Sequence, residues 1–313
     1  MTQYMLPLKF TWNPISGLDL GFLTIHFYSL MFVVAFSLGY YLMKQMYKND
    51  GIPQEKLDSL FMYAVVSILL GARLGHVIFY QPELFKDDFF SVFLPFRFVP
   101  EFEFTGFRGL ASHGAAIVTI AGMYLYNKKV LKKSFLWVLD RVVITCASGA
   151  IFVRIGNFLN SEMIGHTTDS ALGVKFVQDE FSERQVTQLT KINDPKEAYQ
   201  ALTSDPQFAD LVADIPYRYP GQLMEAAGYM LVFAILMYLY WKTNAAKKQG
   251  LLFGLFLLLL MGVRIIVENF KEVQVDERSD WVLNTGQLLS IPFIIIGLYF
   301  VINALRKKET TDA

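Results

Sequence analysis

The chain has 313 residues, of which 54% are hydrophobic and only 18% charged, with a mean hydropathy of +0.36. A soluble domain carries about a quarter charged residues, so this composition excludes a water-coated globule, a disordered chain and a collagen-like or coiled-coil chain, and it points to the membrane. The formal net charge is zero, which removes any global electrostatic case for nucleic acid. The single cysteine, Cys146, allows no intramolecular disulfide; Cys146 reads as core packing, and no metal or nucleotide motif implies a cofactor.

A spanning helix needs about 20 mostly apolar residues. Seven segments qualify: 22–43, 58–80, 110–126, 134–157, 220–241, 250–270 and 286–305. No basic segment with a short apolar stretch and a cleavage site precedes them, so no removable signal peptide is expected. Span one carries His26 and Tyr28 in its first turns and is followed by Lys44, Lys48 and Lys56. Span two carries Arg73 and His76 toward its far end. Residues 81–109 are rich in Phe, with Pro95 and Pro100 as breakers, and suit the membrane interface. Span three opens with Ser112-His113-Gly114 and ends before Lys128, Lys129, Lys132 and Lys133. Span four has Asp140 and Arg141 near its start and ends with Arg154, Asn157 and Asn160, followed by Glu162.

Residues 161–219 are the largest extramembrane piece, and acids outnumber bases in it. Asp194-Pro195 and Asp205-Pro206 read as helix starts, an N-cap followed by proline. Span five opens with Gln222 and Glu225 and precedes Lys242, Lys247 and Lys248. Span six carries Arg264 and Glu268. Span seven carries Gln287 and Ser290 and precedes Arg306, Lys307 and Lys308. Basic residues mark cytoplasmic loops. The expectation is therefore an all-α integral membrane protein with seven transmembrane helices, its N-terminus outside and its C-terminus cytoplasmic. Residues 1–313 form one polytopic membrane domain, with a small extracytoplasmic subdomain at 161–219 between spans four and five.

An ionisable side chain at mid-bilayer costs roughly 2.5–3.5 kcal/mol on insertion scales, so each one requires a reason. In this topology every span places polar groups in the outer half, and only span four has charges clearly in the inner half, at Asp140 and Arg141. Arg154 and Asn157 are spaced i, i+3, and Arg264 and Glu268 i, i+4, so each pair shares a helix face. The pattern describes a polar cavity open to the outer leaflet. Its arginines suit an anionic headgroup, because guanidinium forks match phosphate oxygens. A transporter of an anionic lipid or solute is the competing reading, and it requires polar residues at every depth. A seven-span receptor would not need convergent arginines.

The residues at that depth carry a resemblance. Arg154-Ile155-Gly156-Asn157-Phe158-Leu159-Asn160-Ser161-Glu162, continuing through Gly165 to Thr168-Asp169, is similar to the signature block of bacterial prolipoprotein diacylglyceryl transferases. His26-Phe27-Tyr28, Gly71-Ala72-Arg73-Leu74-Gly75 with Phe79-Tyr80, Ser112-His113-Gly114, Arg264-Ile265-Ile266-Val267-Glu268 and Gly286-Gln287 with Leu289-Ser290-Ile291-Pro292 follow in the same family's order. The resemblance covers most of the chain apart from about 179–215 and the tails. Four positions depart from the family pattern. Tyr219 stands where a histidine is usual, Met224 and Leu260 where tyrosines are usual, and His166 where an arginine or lysine is usual.

The resemblance implies transfer of an sn-1,2-diacylglyceryl group from phosphatidylglycerol to the lipobox cysteine thiol of a prolipoprotein. A thioether forms and glycerol phosphate leaves, the first step of bacterial lipoprotein maturation. It also implies a place in the bacterial cytoplasmic (inner) membrane with the active site on the extracytoplasmic side. The partners are phosphatidylglycerol, the prolipoprotein signal-peptide lipobox and membrane lipids, with no nucleic acid and no cofactor. Arg154 and Arg264 are expected to clamp the phosphate. His113 serves as general base or as a hydrogen-bonding group for the headgroup. Tyr28 orients the headgroup, assists proton transfer or anchors its helix. Asn157 and Asn160 contact lipid oxygens or the arginines, while Glu162 and Glu268 orient the arginines. Gly165 permits close backbone approach. Arg73, Gln287 and Glu225 read equally as substrate contacts or as structural groups.

Overall fold

The computed structural model describes residues 9–15, 17–21, 24–94, 96–99, 101–104, 109, 111–272 and 283–306. In chain order the main elements are strands β1 (Phe10–Trp12), β2 (Gly17–Asp19) and β3 (Thr24–His26), then helices α1 (Phe27–Asn49) and α2 (Gln54–Tyr80). A short hairpin of β4 (Phe96–Arg97) and β5 (Glu103–Phe104) precedes α3 (Ser112–Tyr126) and α4 (Phe135–Leu159). Strand β6 (Val174–Phe176) is followed by α5 (Glu183–Thr190), α6 (Pro195–Ser204), α7 (Gly221–Lys242), α8 (Leu251–Glu268) and α9 (Thr285–Arg306).

Among the described residues six helices are long and apolar enough to cross a membrane: α1, α2, α4, α7, α8 and α9. Lipid offers the backbone no hydrogen bonds, so an apolar run of this length is stable there only when its N–H and C=O groups pair within the segment. The third expected span is a 15-residue α-helix, α3, which continues into a π-helical turn at Asn127–Leu131 and stops at Lys132 in the left-handed region, φ 57°. Span one differs at its start. Residues 24–26 pair antiparallel with 17–19, so His26 ends a strand and α1 begins at Phe27; residues 22 and 23 lie outside the described set, as do Lys307 and Lys308. Cys146, expected to pack in the core, is exposed on α4. A thiol is apolar enough to face lipid.

The chain forms two compact units, Met1–Gly39 with Val142–Ala313, and Tyr40–Arg141. In the first, β1 pairs in parallel with β6, so the N-terminal strand lies on the same side as the segment between α4 and α7. Trp12 fixes that strand by stacking on Phe158 at 4.4 Å and donating its indole N–H to the Phe158 carbonyl at 2.9 Å. Both proline-led helix starts are present, with Asp194 capping α6 and Asp205 capping the 3-10 turn at Pro206–Phe208. Between them Val177, Val186, Ala198, Tyr199, Leu202 and Ile215 bury a small apolar core.

In the second unit α2 and α3 cross at glycines. Gly71 and Gly75 form a small-xxx-small face, and Gly114 sits against both, so that a β-carbon on Gly75 would stand 2.7 Å from Gly114 Cα. The Ala111 amide donates to the Ala72 carbonyl at 2.9 Å, tying the start of α3 to the middle of α2. At the far end of this unit Arg141 pairs with Asp50 at 2.8 Å and lies over the Trp137 ring. The arginine near the start of α4 is thus neutralised, as a charge in an apolar helix requires.

A β-carbon on Gly114 would collide with the Gly71 carbonyl, whereas one on Gly262 would meet nothing within 4 Å. Gly114→Ala is therefore expected to lose about 1–3 kcal/mol to overpacking. Gly262→Ala should hold or raise the melting temperature; thermal unfolding of the detergent-solubilised protein compares the two.

Candidate active site

Within the first unit the end of α4, the start of α7 and the end of α8 are drawn together by a small irregular ladder. The Gly165 amide donates to the Tyr219 carbonyl at 2.9 Å, Tyr219 N–H to His166 O at 3.1 Å, and His166 N–H to Phe270 O at 3.1 Å. Gly165 also bridges to Lys271. A β-carbon at Gly165 would run into the Phe270 carbonyl and the Tyr219 backbone, which is why this position requires glycine. Two departures from the family pattern, His166 and Tyr219, meet here edge to face with ring centres 5.3 Å apart.

Beneath the ladder lies a buried ionic cluster. Glu225 is fully buried on α7. Its Oε2 is 2.7 Å from Arg154 Nε, its Oε1 is 3.1 Å from Lys271 Nζ, and Oε1 also accepts the Tyr229 hydroxyl at 3.3 Å. Lys271, whose side chain is 2% exposed, lies 3.6 Å from Glu268 Oε2. Two cations and two carboxylates thus neutralise one another, as a buried charge demands.

The polar stripe on α4 continues from this cluster toward the helix's C-terminal end. Arg154 Nη1 donates to Asn157 Oδ1 at 3.2 Å; the Asn157 and Asn160 amides donate to the two Glu162 carboxylate oxygens at 3.3 and 3.2 Å. The Gln222 amide donates to the Glu162 carbonyl. The Tyr28 hydroxyl bonds Asn157, and its ring packs on Gly156, where a β-carbon would stand 2.8 Å from Tyr28 Cδ2.

Arg264 is half-buried on α8. Among the described residues no ion pair or hydrogen bond neutralises it, although its charge acts on the Tyr229 hydroxyl. The expected orientation of the arginines by Glu162 and Glu268 is therefore corrected. Glu162 bonds the two asparagines and Glu268 pairs with Lys271 three residues on, while Arg154 reaches across to Glu225. Gln287 bridges helices, donating to the Ile265 carbonyl at 3.3 Å and to Asn269 Oδ1 at 3.1 Å.

Sequence reasoning passed over Lys271 and Tyr229. The signal for Lys271 was its position just past a span edge and three residues after Glu268, a spacing that places i and i+3 side chains together. Tyr229 lies one turn after Glu225 on α7, and Leu260, at the family's tyrosine position, packs in the same cluster as Tyr229.

The second unit holds Arg73, His76 and His113. Arg73, His76, Asp88, Ser91, Arg97 and Glu103 line a cavity of about 300 Å³. Arg73 Nη2 donates to the Ser91 carbonyl at 2.6 Å, and His76 stacks on Tyr80 and fills the space beside Gly109, φ +68°. His113 is exposed at the start of α3, and the Ser112 side chain lies outside the described set. Burial pushes the Asp88 carboxyl up, but donors from Ser91 Oγ (2.5 Å) and the Phe98 and Val99 amides (2.7 and 3.1 Å) outweigh it and hold the group below its ordinary range.

Residues 16–303 match the family model described as prolipoprotein diacylglyceryl transferase. The chain is 34% identical over 307 residues to the phosphatidylglycerol–prolipoprotein diacylglyceryl transferase of Bacteroides fragilis, covering 97% of this chain and 98% of the relative. It is 33% identical over 299 residues to the same-named protein of Tolumonas auensis, covering 95% and 98%. Against that of Chloroherpeton thalassium it is 31% identical over 291 residues, covering 93% and 92%.

Asp88 makes a pH dependence testable. A carboxyl whose folded pKa is depressed stabilises the fold fully above its unfolded pKa, about 3.9, and loses that contribution as pH falls through the folded value. Melting temperature followed from pH 6 downward should drop below about pH 4, and Asp88→Asn should remove part of that drop while lowering stability at pH 6.

Proposed function

Because the chain belongs to the prolipoprotein diacylglyceryl transferase family, we infer that it transfers an sn-1,2-diacylglyceryl group from phosphatidylglycerol to a cysteine thiol of a prolipoprotein. It is a transferase. The cysteine is that of the signal-peptide lipobox. Its thiolate sulfur attacks the diacylglycerol carbon that carries the phosphate ester. The C–S bond forms as the C–O bond breaks, and the electron pair leaves with glycerol phosphate. The thiol proton passes to a general base, for which His113 is the candidate; its other role is a hydrogen bond to the headgroup. Free thiols ionise near pH 8.5, and cationic surroundings favour the thiolate.

Arg264 carries this reading. A half-buried guanidinium without an anionic partner among the described residues is costly in a span unless a ligand supplies the anion, and a phosphodiester supplies one. Arg154 presents the rest of its fork to the same phosphate. Asn157 and Asn160 bond lipid oxygens, Tyr28 orients the headgroup through Asn157, Glu162 holds both asparagines, and Gly165, Glu268 and Gln287 position the set through the ladder, Lys271 and the bonds to Ile265 and Asn269. The protein crosses the bacterial inner membrane seven times as one polytopic domain, with its N-terminus and the 161–219 subdomain outside and its C-terminus in the cytoplasm. The basic loops and the pairing of β1 with β6 support that arrangement. The exposed rings of Phe89, Phe90 and Phe102 support an interfacial place for residues 81–109.

The test is covalent. Purified protein, phosphatidylglycerol vesicles and a synthetic lipobox peptide are combined, and mass spectrometry looks for a diacylglyceryl adduct that a cysteine-to-serine peptide does not form. Arg154→Ala, Arg264→Ala and His113→Ala should each reduce turnover by about 10²-fold or more, the usual loss on removing a group aimed at developing charge or a positioned base. Near-normal turnover in folded Arg264→Ala protein would remove the phosphate clamp from the mechanism.

A further inference from the structure

Resting on the reading above, we propose that Lys271 is a positioning residue that keeps the Arg154 fork open for the lipid phosphate by occupying half of Glu225. A carboxylate facing a lone guanidinium closes on it through two parallel hydrogen bonds, and that geometry consumes the donor edge which phosphate would otherwise use. Here the fork is not closed. Glu225 Oε2 lies 2.7 Å from Arg154 Nε, while Oε1 is turned to Lys271 Nζ at 3.1 Å and accepts the Tyr229 hydroxyl. Among the described residues no second carboxylate reaches Arg154; its Nη1 goes to the neutral Asn157 side chain.

The position of Lys271 is built rather than incidental. Its backbone is bridged to Gly165, its stem packs against Gly221, and Glu268 holds the ammonium from the other side at 3.6 Å. Without the lysine, Glu225 Oε1 would lose its cation and be free to turn toward Arg154, the cluster would carry one uncompensated negative charge, and both effects would oppose an anionic headgroup. Glu225 has a distinct task in this arrangement: it fixes the orientation of Arg154 through Nε, without which the guanidinium still attracts phosphate but is poorly aimed.

The two residues therefore have opposite kinetic signatures. In mixed micelles of graded phosphatidylglycerol content with saturating lipobox peptide, Lys271→Met should raise the KM for the lipid about tenfold, the effect of one charge-assisted contact, with a smaller change in kcat. Glu225→Gln should lower kcat without raising that KM. The double variant Lys271→Met/Glu225→Gln should have a lower KM than Lys271→Met alone, because the acid that would close the fork is gone, and Lys271→Arg should keep the KM near that of the parent protein. Lys271→Gln carries the test if Lys271→Met does not purify folded.

Phosphatidylglycerol retention by the full chain in native mass spectrometry ranks the same variants without turnover. If the parent protein forms no adduct yet this ranking holds, the reaction reading fails and the positioning proposal stands. An unchanged KM and lipid retention in the Lys271 variants, or a double variant no better than the single, would overturn the proposal and leave Lys271 as a helix tie.

Discussion

A carboxylate with no access to water governs the first unit. Glu225 is fully buried, and an ionised group there is tolerable only if cations and hydrogen-bond donors surround it. It finds Arg154 from α4, Lys271 from the turn after α8, and Tyr229 from its own helix. Satisfying one charge thus binds three separate stretches of chain at one depth. The Gly165–Tyr219–Phe270 ladder acts on the same stretches from above, so the ionic cluster and the backbone bonds hold each other in register.

In the second unit the constraint is steric rather than electrostatic. The blocks around Arg73 and His113 contain glycines at the points where two backbones come closest: Gly71 and Gly75 on α2 and Gly114 on α3. Apolar side chains gain little by leaving lipid for one another, so helices in a membrane associate through close packing, which small residues permit. The glycine beside His113 therefore builds the crossing that fixes where the histidine starts its helix. A short motif here combines chemistry with the packing that places it.

This division explains what the sequence disclosed. Composition alone identifies the membrane class, and apolar run length finds every long helix, because lipid leaves few alternatives for a backbone. Caps with strong local chemistry, such as Asp194-Pro195, are equally legible because donor and acceptor are neighbours. The partners of Arg154 and Glu268 were not. The i, i+4 spacing of Arg264 and Glu268 suggests a pair, yet Glu268 turns to Lys271, since a buried lysine shared between two acids satisfies more charge than one surface-type pair would. Glu225 and Lys271 belong to different spans, and nothing local connects them. The strand at Phe10–Trp12 is hidden for the same reason, as its partner follows α4.

The charge balance of the site bears directly on the direction of catalysis. Arg154, Lys271, Glu225 and Glu268 sum to zero, so the quartet neither attracts nor repels an incoming phosphodiester strongly. Arg264 adds one positive charge that no residue in the described set offsets. In the proposed transfer the phosphodiester brings a single negative charge, and the departing phosphate gains more as the C–O bond lengthens. A half-buried guanidinium placed on a helix at that point would attract the transition state more than the bound lipid. Had Glu268 neutralised Arg264, as spacing alone suggests, that difference would have been spent inside the protein. Lys271 draws Glu268 away from Arg264 and takes one oxygen of Glu225, whose other oxygen stays on Arg154, so in the proposed site one buried lysine sets the charge that both arginines offer to phosphate.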